Sequence, residues 1–163
     1  MITLVQHYFS ASAQRFPDKP AVCCEDDVLT FAQLEGFSNA FARALQTAGV
    51  KRGGFVPFFM QKSVRSIQSI LSILKADCAY IPIDINSPAQ RLESILKAAN
   101  ATVLIVDDHS EALFAELLPE NQIQLITSSS LPVAMNHPLS VKISQSILLM
   151  CFSPPAQPVH PKG

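Results

Sequence analysis

Apolar residues recur at the spacing of helices and strands from the start of the chain to about residue 127. Residues 2–16 repeat apolar side chains every three or four positions, which predicts a helix. Two short apolar runs, residues 21–25 and 28–30, flank Asp26-Asp27 and predict a hairpin. The side chains predicted to form the inner face of the first helix are Leu4, Val5, Tyr8, Phe9, Ala13 and Phe16.

Two further helices carry N-terminal capping signals. Thr30 and Gln33 form a capping-box pattern that starts a second helix, which ends at Gly49. Ser63 is a suitable N-cap for a third helix over residues 63–76. The inner faces are predicted to be Phe31, Leu34, Phe37, Phe41 and Leu45 in the second helix, and Val64, Ile67, Ile70, Leu71 and Leu74 in the third.

From residue 55 onward the predicted strands and helices alternate, which favours an α/β fold with a mostly parallel sheet flanked by helices. Pro82 places its strand at a sheet edge or at a strand end. Ser87 is predicted to cap the next helix, with Pro88 at its first position. The strands are predicted at residues 55–60, 79–83, 102–106 and 123–126, and the helices between them at 63–76, 88–99 and 111–118.

Asp107-Asp108 follows the apolar run 102–106, which is typical of a buried parallel strand. Ligands of open α/β sheets bind at the carboxyl ends of such strands. Acidic residues at this position also cap helices, and we favour the cap.

The composition narrows the class of protein. The chain has 163 residues, 48% of them hydrophobic, and a formal net charge of −1, which excludes disorder and a basic nucleic-acid-binding surface. Its four cysteines, Cys23, Cys24, Cys78 and Cys151, lack metal-binding spacing, so we expect reduced thiols in a cytoplasmic protein. No apolar run is long enough to span a bilayer. Neither a nucleic acid nor a membrane is an expected partner.

Residues 74–84, Leu-Lys-Ala-Asp-Cys-Ala-Tyr-Ile-Pro-Ile-Asp, carry an unusual combination at fixed spacing. With Pro88 and Arg91 they closely resemble a signature of the adenylation domains of nonribosomal peptide synthetases, in the acyl-adenylate-forming superfamily. Residues 16–22 and 29–34 also resemble the opening pattern of that family. Asp77 departs from it, because the family usually has Gly there. Since Asp tolerates a positive φ less well than Gly, we expect a slightly strained turn.

The resemblance implies the N-terminal part of the adenylate-forming enzyme fold. Members of the family activate an amino acid with ATP and Mg²⁺ and load it on the phosphopantetheine thiol of a carrier protein. We expect the signature residues Lys75, Ala76, Tyr80, Pro82, Asp84, Pro88 and Arg91 to be structural. No residue is assigned a catalytic, cofactor-binding or metal-binding role, because the phosphate loop, substrate pocket and catalytic lid of the family have no counterpart in this sequence. We therefore expect the chain to be inactive by itself and to bind no cofactor.

The sequence divides into residues 1–127, a partial α/β subdomain, residues 128–146, a connector, and residues 147–163, a proline-rich tail. Four prolines among residues 154–161 exclude a helix or a paired strand there. With permitted third bases, the neighbouring reading frame of residues 153–163 encodes Thr-Ser-Gly-Thr-Thr-Gly-Thr-Pro-Lys-Gly, which resembles the phosphate loop of the family. We therefore hypothesise a one-base loss near the Ser146/Ile147 junction, and a truncation before the ATP site.

Two alternative functions remain open at the level of the sequence. The chain could be a fragment of an acyl-CoA ligase, since the substrate-pocket residues that would discriminate are missing. It could also be a non-catalytic α/β interaction module that binds partners through its proline-rich tail. The expected partners of an adenylation fragment are instead the rest of the domain or synthetase and, in the full family, the carrier protein.

Overall fold

Helices and strands alternate through residues 4–25 and 27–128, the part of the chain that the computed structural model describes. The predicted connector beyond Ser128 and the proline-rich tail, residues 147–163, lie outside the described residues. In chain order the elements are α1 (Val5–Arg15), β1 (Pro20–Cys24), β2 (Asp27–Thr30), α2 (Phe31–Thr47), β3 (Phe55–Phe59), α3 (Val64–Lys75), β4 (Ala79–Ile83), α4 (Ala89–Ala98), β5 (Val103–Val106), α5 (Asp108–Leu117) and β6 (Gln124–Thr127).

Four of the strands form one parallel sheet in the order β4-β3-β5-β6. β1 and β2 form a separate antiparallel hairpin. This arrangement confirms the predicted α/β fold with a mostly parallel sheet. β4 is an edge strand, as Pro82 predicted, and β6 is the other edge among the described strands.

Apolar side chains cover both faces of the four-stranded sheet. On one face, α2 and α3 contribute Phe41, Leu45 and Ile73 to a core with Val56 and Ile105. On the other face, the core combines side chains of α4, α5 and the strands: Leu92, Leu96, Phe114, Phe59, Ile83, Leu104 and Val106. Helices on both faces are the usual condition for a parallel sheet, since its strands need burial on both sides.

Side-chain caps start three of the helices. The Thr30 hydroxyl accepts from the backbone N–H of Gln33, and Gln33 Oε1 accepts from the backbone N–H of Thr30, so the predicted capping box is confirmed. Ser63 caps α3 as predicted. The predicted Ser87 cap is wrong: Pro88 is the residue that precedes α4, and no side chain caps that helix. The backbone N–H of Ser87 instead bonds to the carbonyl of Asp84, which makes Ser87 part of the turn after β4.

The predicted inner face of α1 is wrong in part. Val5 and Tyr8 are 68% and 61% exposed, and Gln6 and Ala13 are the buried residues of the helix. The reason is a specific polar contact: Gln6 Nε2 donates to the carbonyl of Leu74 at 3.1 Å, which turns the Gln6 side of α1 toward α3.

The inner face of α3 also differs from the prediction. Ile67 is 38% exposed, whereas Ser69, Ser72 and Ile73 are fully buried. The two serine hydroxyls donate back to the helix's own carbonyls, of Arg65 and Gln68, so their burial leaves no hydroxyl unpaired. Small, internally bonded side chains allow α3 to lie close to α2.

Pro57 lies in the central strand β3, a position that proline usually avoids. The backbone N–H of Ala79 bonds to the carbonyl of Gly54, just before β3, so Val56 and Phe58 within β3 also direct their backbone groups toward β4. The backbone groups of Pro57 therefore face β5, where any other residue would offer an N–H. The recorded pairing of β3 with β5 begins only after it, at Phe58 opposite Ile105. The strand accommodates the proline because its missing N–H precedes this ladder.

Candidate functional site

The residues of the signature lie within β4 and at its two ends. Lys75 and Ala76 end α3 at the amino end of the strand, and Tyr80 and Pro82 lie within it. Asp84, Pro88 and Arg91 follow at its carboxyl end. The structure thus separates the signature into two groups, which have different surroundings.

The carboxyl-end group lines an open cavity of about 340 Å³. Its walls include Pro82, Asp84, Pro88 and Arg91 of the signature, together with Asn86 and Ser87. Asp84 Oδ1 accepts from the backbone N–H and the side-chain amide of Asn86 at 2.9 and 3.1 Å. The carboxylate therefore closes the turn after β4, as Asp commonly does in turns.

At the amino end, Lys75 is buried and has several partners. Its Nζ lies 2.7 Å from Glu35 Oε2 and donates to Asn39 Oδ1 at 2.9 Å. The ring of Phe9 faces the ammonium at 5.6 Å. Ser10 donates to the Glu35 carboxylate, so one ion pair connects α1, α2 and α3. Burial lowers the pKa of Lys75, although the hydrogen bond and charge of Glu35 oppose this.

Ala76, the next residue of the signature, is 1% exposed and belongs to the core between α2, α3 and the sheet. Its backbone N–H bonds to the carbonyls of the last turn of α3. A larger side chain would have to displace that core. The burial of Ala76 accounts for a small residue at this position.

Asp77 adopts φ +59°, so the expected turn with a positive φ is present. Its carboxylate is buried: Oδ2 lies 2.6 Å from Arg52 Nη2, and Oδ1 has no hydrogen-bond partner. Burial raises the pKa of the Asp77 carboxyl, against the opposing charge of Arg52. The Asp77 carbonyl accepts from the backbone N–H of Gly53, which holds the turn against the start of β3.

Tyr80 and Pro82 occupy exposed positions on β4, and Tyr80 is 40% exposed. The Tyr80 ring packs at 6.4 Å from that of Phe58 on the neighbouring strand. Neither residue approaches a nucleophile or a general base in the described contacts. Their positions agree with a structural assignment, which stays a prediction.

Asp107 and Asp108 lie at the start of α5. Asp107 Oδ1 accepts from the backbone N–H of Ser110 at 2.8 Å, and Ser110 Oγ accepts from the backbone N–H of Asp107 at 2.9 Å. Asp107 is therefore the N-cap of α5, as we favoured from the sequence. The cap also explains why α5 begins at Asp108 and not near residue 111 as predicted.

The described residues do not fit a bound ATP–Mg²⁺ complex by themselves. Asp84 and Asp107, the carboxylates at the carboxyl ends of β4 and β5, both bind their own turn or helix. Between residues 4–25 and 27–128, no three His, Cys, Asp or Glu side chains come together as a possible metal site.

Several partners of the signature were missed from the sequence. Glu35, Asn39 and Arg52 are each far from it along the chain, and Ser10 lies in a different helix. A partial signal exists for the first two, since polar residues spaced by four on the inner side of α2 are unexpected beside Leu34 and Phe37. For Arg52 no sequence signal existed, because a basic residue in a loop is ordinary.

Among the described residues, Cys23, Cys24 and Cys78 are free thiols, and burial raises the pKa of Cys78 to about 11.

No helix in the described part of the chain is long and apolar enough to cross a membrane.

Comparison with known proteins identifies the family. The model of a family described as AMP-binding enzyme matches residues 9–160. The nonribosomal peptide synthetase-like enzyme fsqF of Aspergillus fumigatus is 36% identical over 117 residues, which are 72% of this chain and 8% of fsqF. The chain thus spans a small part of the curated relatives it matches.

Solved structures give the same result. The nonribosomal peptide synthetase FmoA3, in a form bound to α-methyl-L-serine-AMP, superposes with a TM-score of 0.76 at 29% identity, over 85% of this chain and 15% of that one. The N-terminal subdomain of Klebsiella oxytoca NpsA, in complex with 3-hydroxyanthranilyl-AMSN, superposes with a TM-score of 0.67 at 25% identity, over 80% and 32%. The chain therefore belongs to the family of AMP-binding enzymes, as a fragment of an adenylation domain of the nonribosomal peptide synthetase type.

Proposed function

We propose that this chain forms the opening part of a domain that activates an amino acid with ATP. The observation that carries the proposal is the family match over residues 9–160, with the Lys75–Arg91 signature in order within it. Family members bound to acyl-AMP or its analogues have this α/β architecture. ATP use is a property of the family, and we extend it to the full-length protein of which this chain would be a part.

In the reaction, a carboxylate oxygen of the amino acid attacks the α-phosphorus of ATP and pyrophosphate leaves. The thiol of the phosphopantetheine arm then attacks the acyl carbon and AMP leaves. The described residues supply none of the groups that these steps need. Their part is to build the scaffold: the Lys75 network fixes three helices, and the Asp84 turn directs the chain from β4 into α4.

The partners follow from this assignment. The first is the remainder of an adenylation domain, because this chain covers only 32% of the NpsA N-terminal subdomain with which it superposes. The second is a carrier protein, which accepts the activated amino acid in the full family. Both are proposals for this chain, and the activity is expected to need the first.

A chimera tests the proposal. The segment of NpsA that superposes with this chain is replaced by residues 4–128, and the acid whose adenylate analogue NpsA binds is supplied as substrate. ATP–pyrophosphate exchange measures adenylate formation. We expect exchange within about tenfold of NpsA, because the grafted residues act through the scaffold and not through the reacting atoms. The isolated full chain should show no exchange.

The matched control is the same chimera with Lys75→Ala. We expect this change to lower the free energy of unfolding while the chimera that remains folded still catalyses exchange. In the chimera, NpsA residues supply every catalytic group. A folded chimera that shows no exchange would therefore contradict a scaffold role of residues 4–128 in adenylation. Exchange by the isolated chain would contradict the assignment of the catalytic groups to another segment.

The reading-frame hypothesis for residues 147–163 is separate, and we propose it as the explanation of their composition. Resequencing the DNA across the Ser146/Ile147 junction tests it. An additional base there would place the phosphate loop in frame. A confirmed frame, with no adenylation sequence in the neighbouring one, would reject the hypothesis and leave the family assignment of residues 4–128 unchanged.

A further inference from the structure

Two opposite charges line the open cavity at the carboxyl end of β4 without pairing with each other. Asp84 follows β4, and Arg91 lies in the first turn of α4. Arg91 forms no ion pair with Asp84 or with any other carboxylate of residues 4–25 and 27–128. A cavity with a cation on one wall and an anion on another is suited to a ligand that carries both charges.

The Asp84 carboxylate has one oxygen left for such a ligand. Its hydrogen bonds from the backbone N–H and the side-chain amide of Asn86 both end on Oδ1. Oδ2 accepts no hydrogen bond from the described residues. Because Oδ1 is held by the turn, the direction of Oδ2 is restricted as well. Asp84 can therefore close the turn through one oxygen and bind an ammonium group through the other.

The cationic side of the cavity is suited to a carboxylate. The guanidinium of Arg91 presents N–H donors in a planar fork, which matches the two oxygens of a carboxylate. No side chain caps α4, and the residues before that helix, Ser87 and Pro88, belong to the same wall. The positive end of the helix dipole therefore adds to the charge of Arg91.

The remaining wall of the cavity is apolar and small. Ile83 is buried at the end of β4, and Ile95 lies one turn after Arg91 on α4. Pro82 and Pro88 complete this wall. The volume of about 340 Å³ is at the low end of the range for ligand cavities, about 300–1,000 Å³. These walls fit a short apolar group.

We propose that this cavity binds a small zwitterion, an α-amino acid with a short apolar side chain. Arg91 binds its carboxylate, Asp84 Oδ2 binds its ammonium group, and Ile95 contacts its side chain. A ligand with only a negative charge is disfavoured because it meets Asp84, and one with only a positive charge because it meets Arg91. The site consists of described residues alone and does not depend on the proposed adenylation role.

Titration of the full chain with L-valine, followed through the backbone amide signals in NMR spectra, tests the proposal. We expect saturable shifts at Ser87 and Arg91 and none at Leu125 on the other edge strand. The affinity should be low because both charges are exposed. Without saturable shifts at Ser87 and Arg91, the site is rejected.

Three further ligands identify the groups that are recognised. N-acetyl-L-valine lacks the ammonium group and L-valinamide lacks the carboxylate, so each should bind at least about fivefold more weakly than valine. Glycine lacks the apolar side chain and should bind at least about threefold more weakly. Equal affinities for valine and N-acetylvaline would exclude a role of Asp84 and overturn the proposal.

Two variants of similar side-chain size test each charge of the cavity. Asp84→Asn keeps an Oδ1 acceptor for the N–H of Asn86, so the turn is retained. We expect Asp84→Asn and Arg91→Gln each to weaken valine binding at least about fivefold. Lys97→Gln is the matched control, because Lys97 lies on α4 but outside the cavity, and it should change the affinity by less than about twofold.

Equal effects of Arg91→Gln and Lys97→Gln would mean that only the overall charge of α4 acts, and would reject the site. If a variant fails to fold, the ligand series on the unaltered chain decides. An active NpsA chimera together with no valine binding by the full chain would reject this site and keep the adenylation role. An inactive chimera with selective valine binding would do the reverse.

Discussion

Lys75 and Asp77 are both buried charged residues, two positions apart, yet their surroundings differ. Lys75 has an anion, an amide oxygen and an aromatic ring around its ammonium. Asp77 has one partly exposed arginine, a carboxylate oxygen without a partner and a left-handed backbone. The signature that the sequence resembles includes the lysine and has glycine where this chain has Asp77. In this chain the buried charge that matches the signature has several partners, whereas the buried charge that departs from it has one.

The physical difference is the number of polar partners that surround each buried charge. Burial of an ion costs several kcal/mol unless partners replace the lost water. For Lys75, three helices supply the partners. For Asp77, only the loop residue Arg52 does, and its side chain is half exposed, which weakens the pair.

Removing the lysine should have the largest effect. In Lys75→Ala, the Glu35 carboxylate and Asn39 lose their common partner in a largely buried position. We expect the free energy of unfolding to fall by about 3 kcal/mol, as is typical when one member of a buried pair is removed. Urea unfolding followed by circular dichroism measures this.

Lys97→Ala is the matched control, because it breaks an exposed pair with Glu93 one turn away on α4. It should cost less than about 0.5 kcal/mol. Equal losses in the two variants would mean that the Lys75 network contributes no more than a surface pair, and the comparison with Asp77 would lose its basis.

Asp77→Gly should have the opposite sign. Glycine adopts φ +59° without strain. The same left-handed conformation costs residues with a Cβ about 1–2 kcal/mol. The change also removes the unpaired Oδ1, and loses the pair with Arg52. We expect a net gain of about 1 kcal/mol in the free energy of unfolding, measured as above.

Asp77→Ala separates backbone strain from charge. It removes the same carboxylate but keeps a Cβ at the positive φ, so it should be about 1 kcal/mol less stable than Asp77→Gly. If the alanine and glycine variants were equally stable, the strain argument would fail and the buried oxygen alone would explain the gain.

The strain at Asp77 could be predicted from the sequence, and its partner could not. A resemblance with one residue out of place is a local signal, and the positive φ agrees with it. Arg52 and Glu35 are distant in sequence, and no pattern in one chain indicates which loop cation or helix acid meets a given residue. The same limit applies to α3, where the apolar stripe predicted Ile67 inside and the structure buries Ser69 and Ser72.

Element type was predicted more successfully than orientation. The order of helices and strands followed from periodicity, since each element shows its own repeat. Which side of α1 lies inward depended on the hydrogen bond from Gln6 to Leu74, a tertiary contact between residues 68 positions apart in the sequence. The two groups of signature residues at opposite ends of β4 were likewise visible only in three dimensions, although Pro82 did identify the edge strand.

The pH dependence of stability provides a smaller test of the same contrast. The pKa of Asp77 is raised above 3.8 in the folded chain, so the folded state binds this proton more tightly than the unfolded state. The stabilisation is fully present below the unfolded pKa and is lost as the pH rises through the folded pKa. Thermal unfolding between about pH 3 and pH 7 should therefore show Asp77→Asn gaining stability relative to the unaltered chain as the pH rises. A constant difference between the two proteins would contradict the raised pKa.

Cys78, next to Asp77, reports on the turn with almost no effect on the fold. Its thiol is buried, donates to the carbonyl of Lys51 at 3.3 Å, and has a pKa raised by burial to about 11. At about pH 8, roughly one thiol in a thousand would be ionised, so alkylation should be slow and limited by opening of the turn. Mass spectrometry of the labelled peptides should show exposed Cys23 modified first. The Cys78 rate should be lower in Asp77→Gly than in Asp77→Ala, because both variants lack the Asp77 charge that also raises the pKa of Cys78, and the less strained turn opens less often. Equal Cys78 rates in the two variants would mean that the thiol is exposed only by global unfolding or that the strain is absent, and the difference in their free energies of unfolding would discriminate between the two.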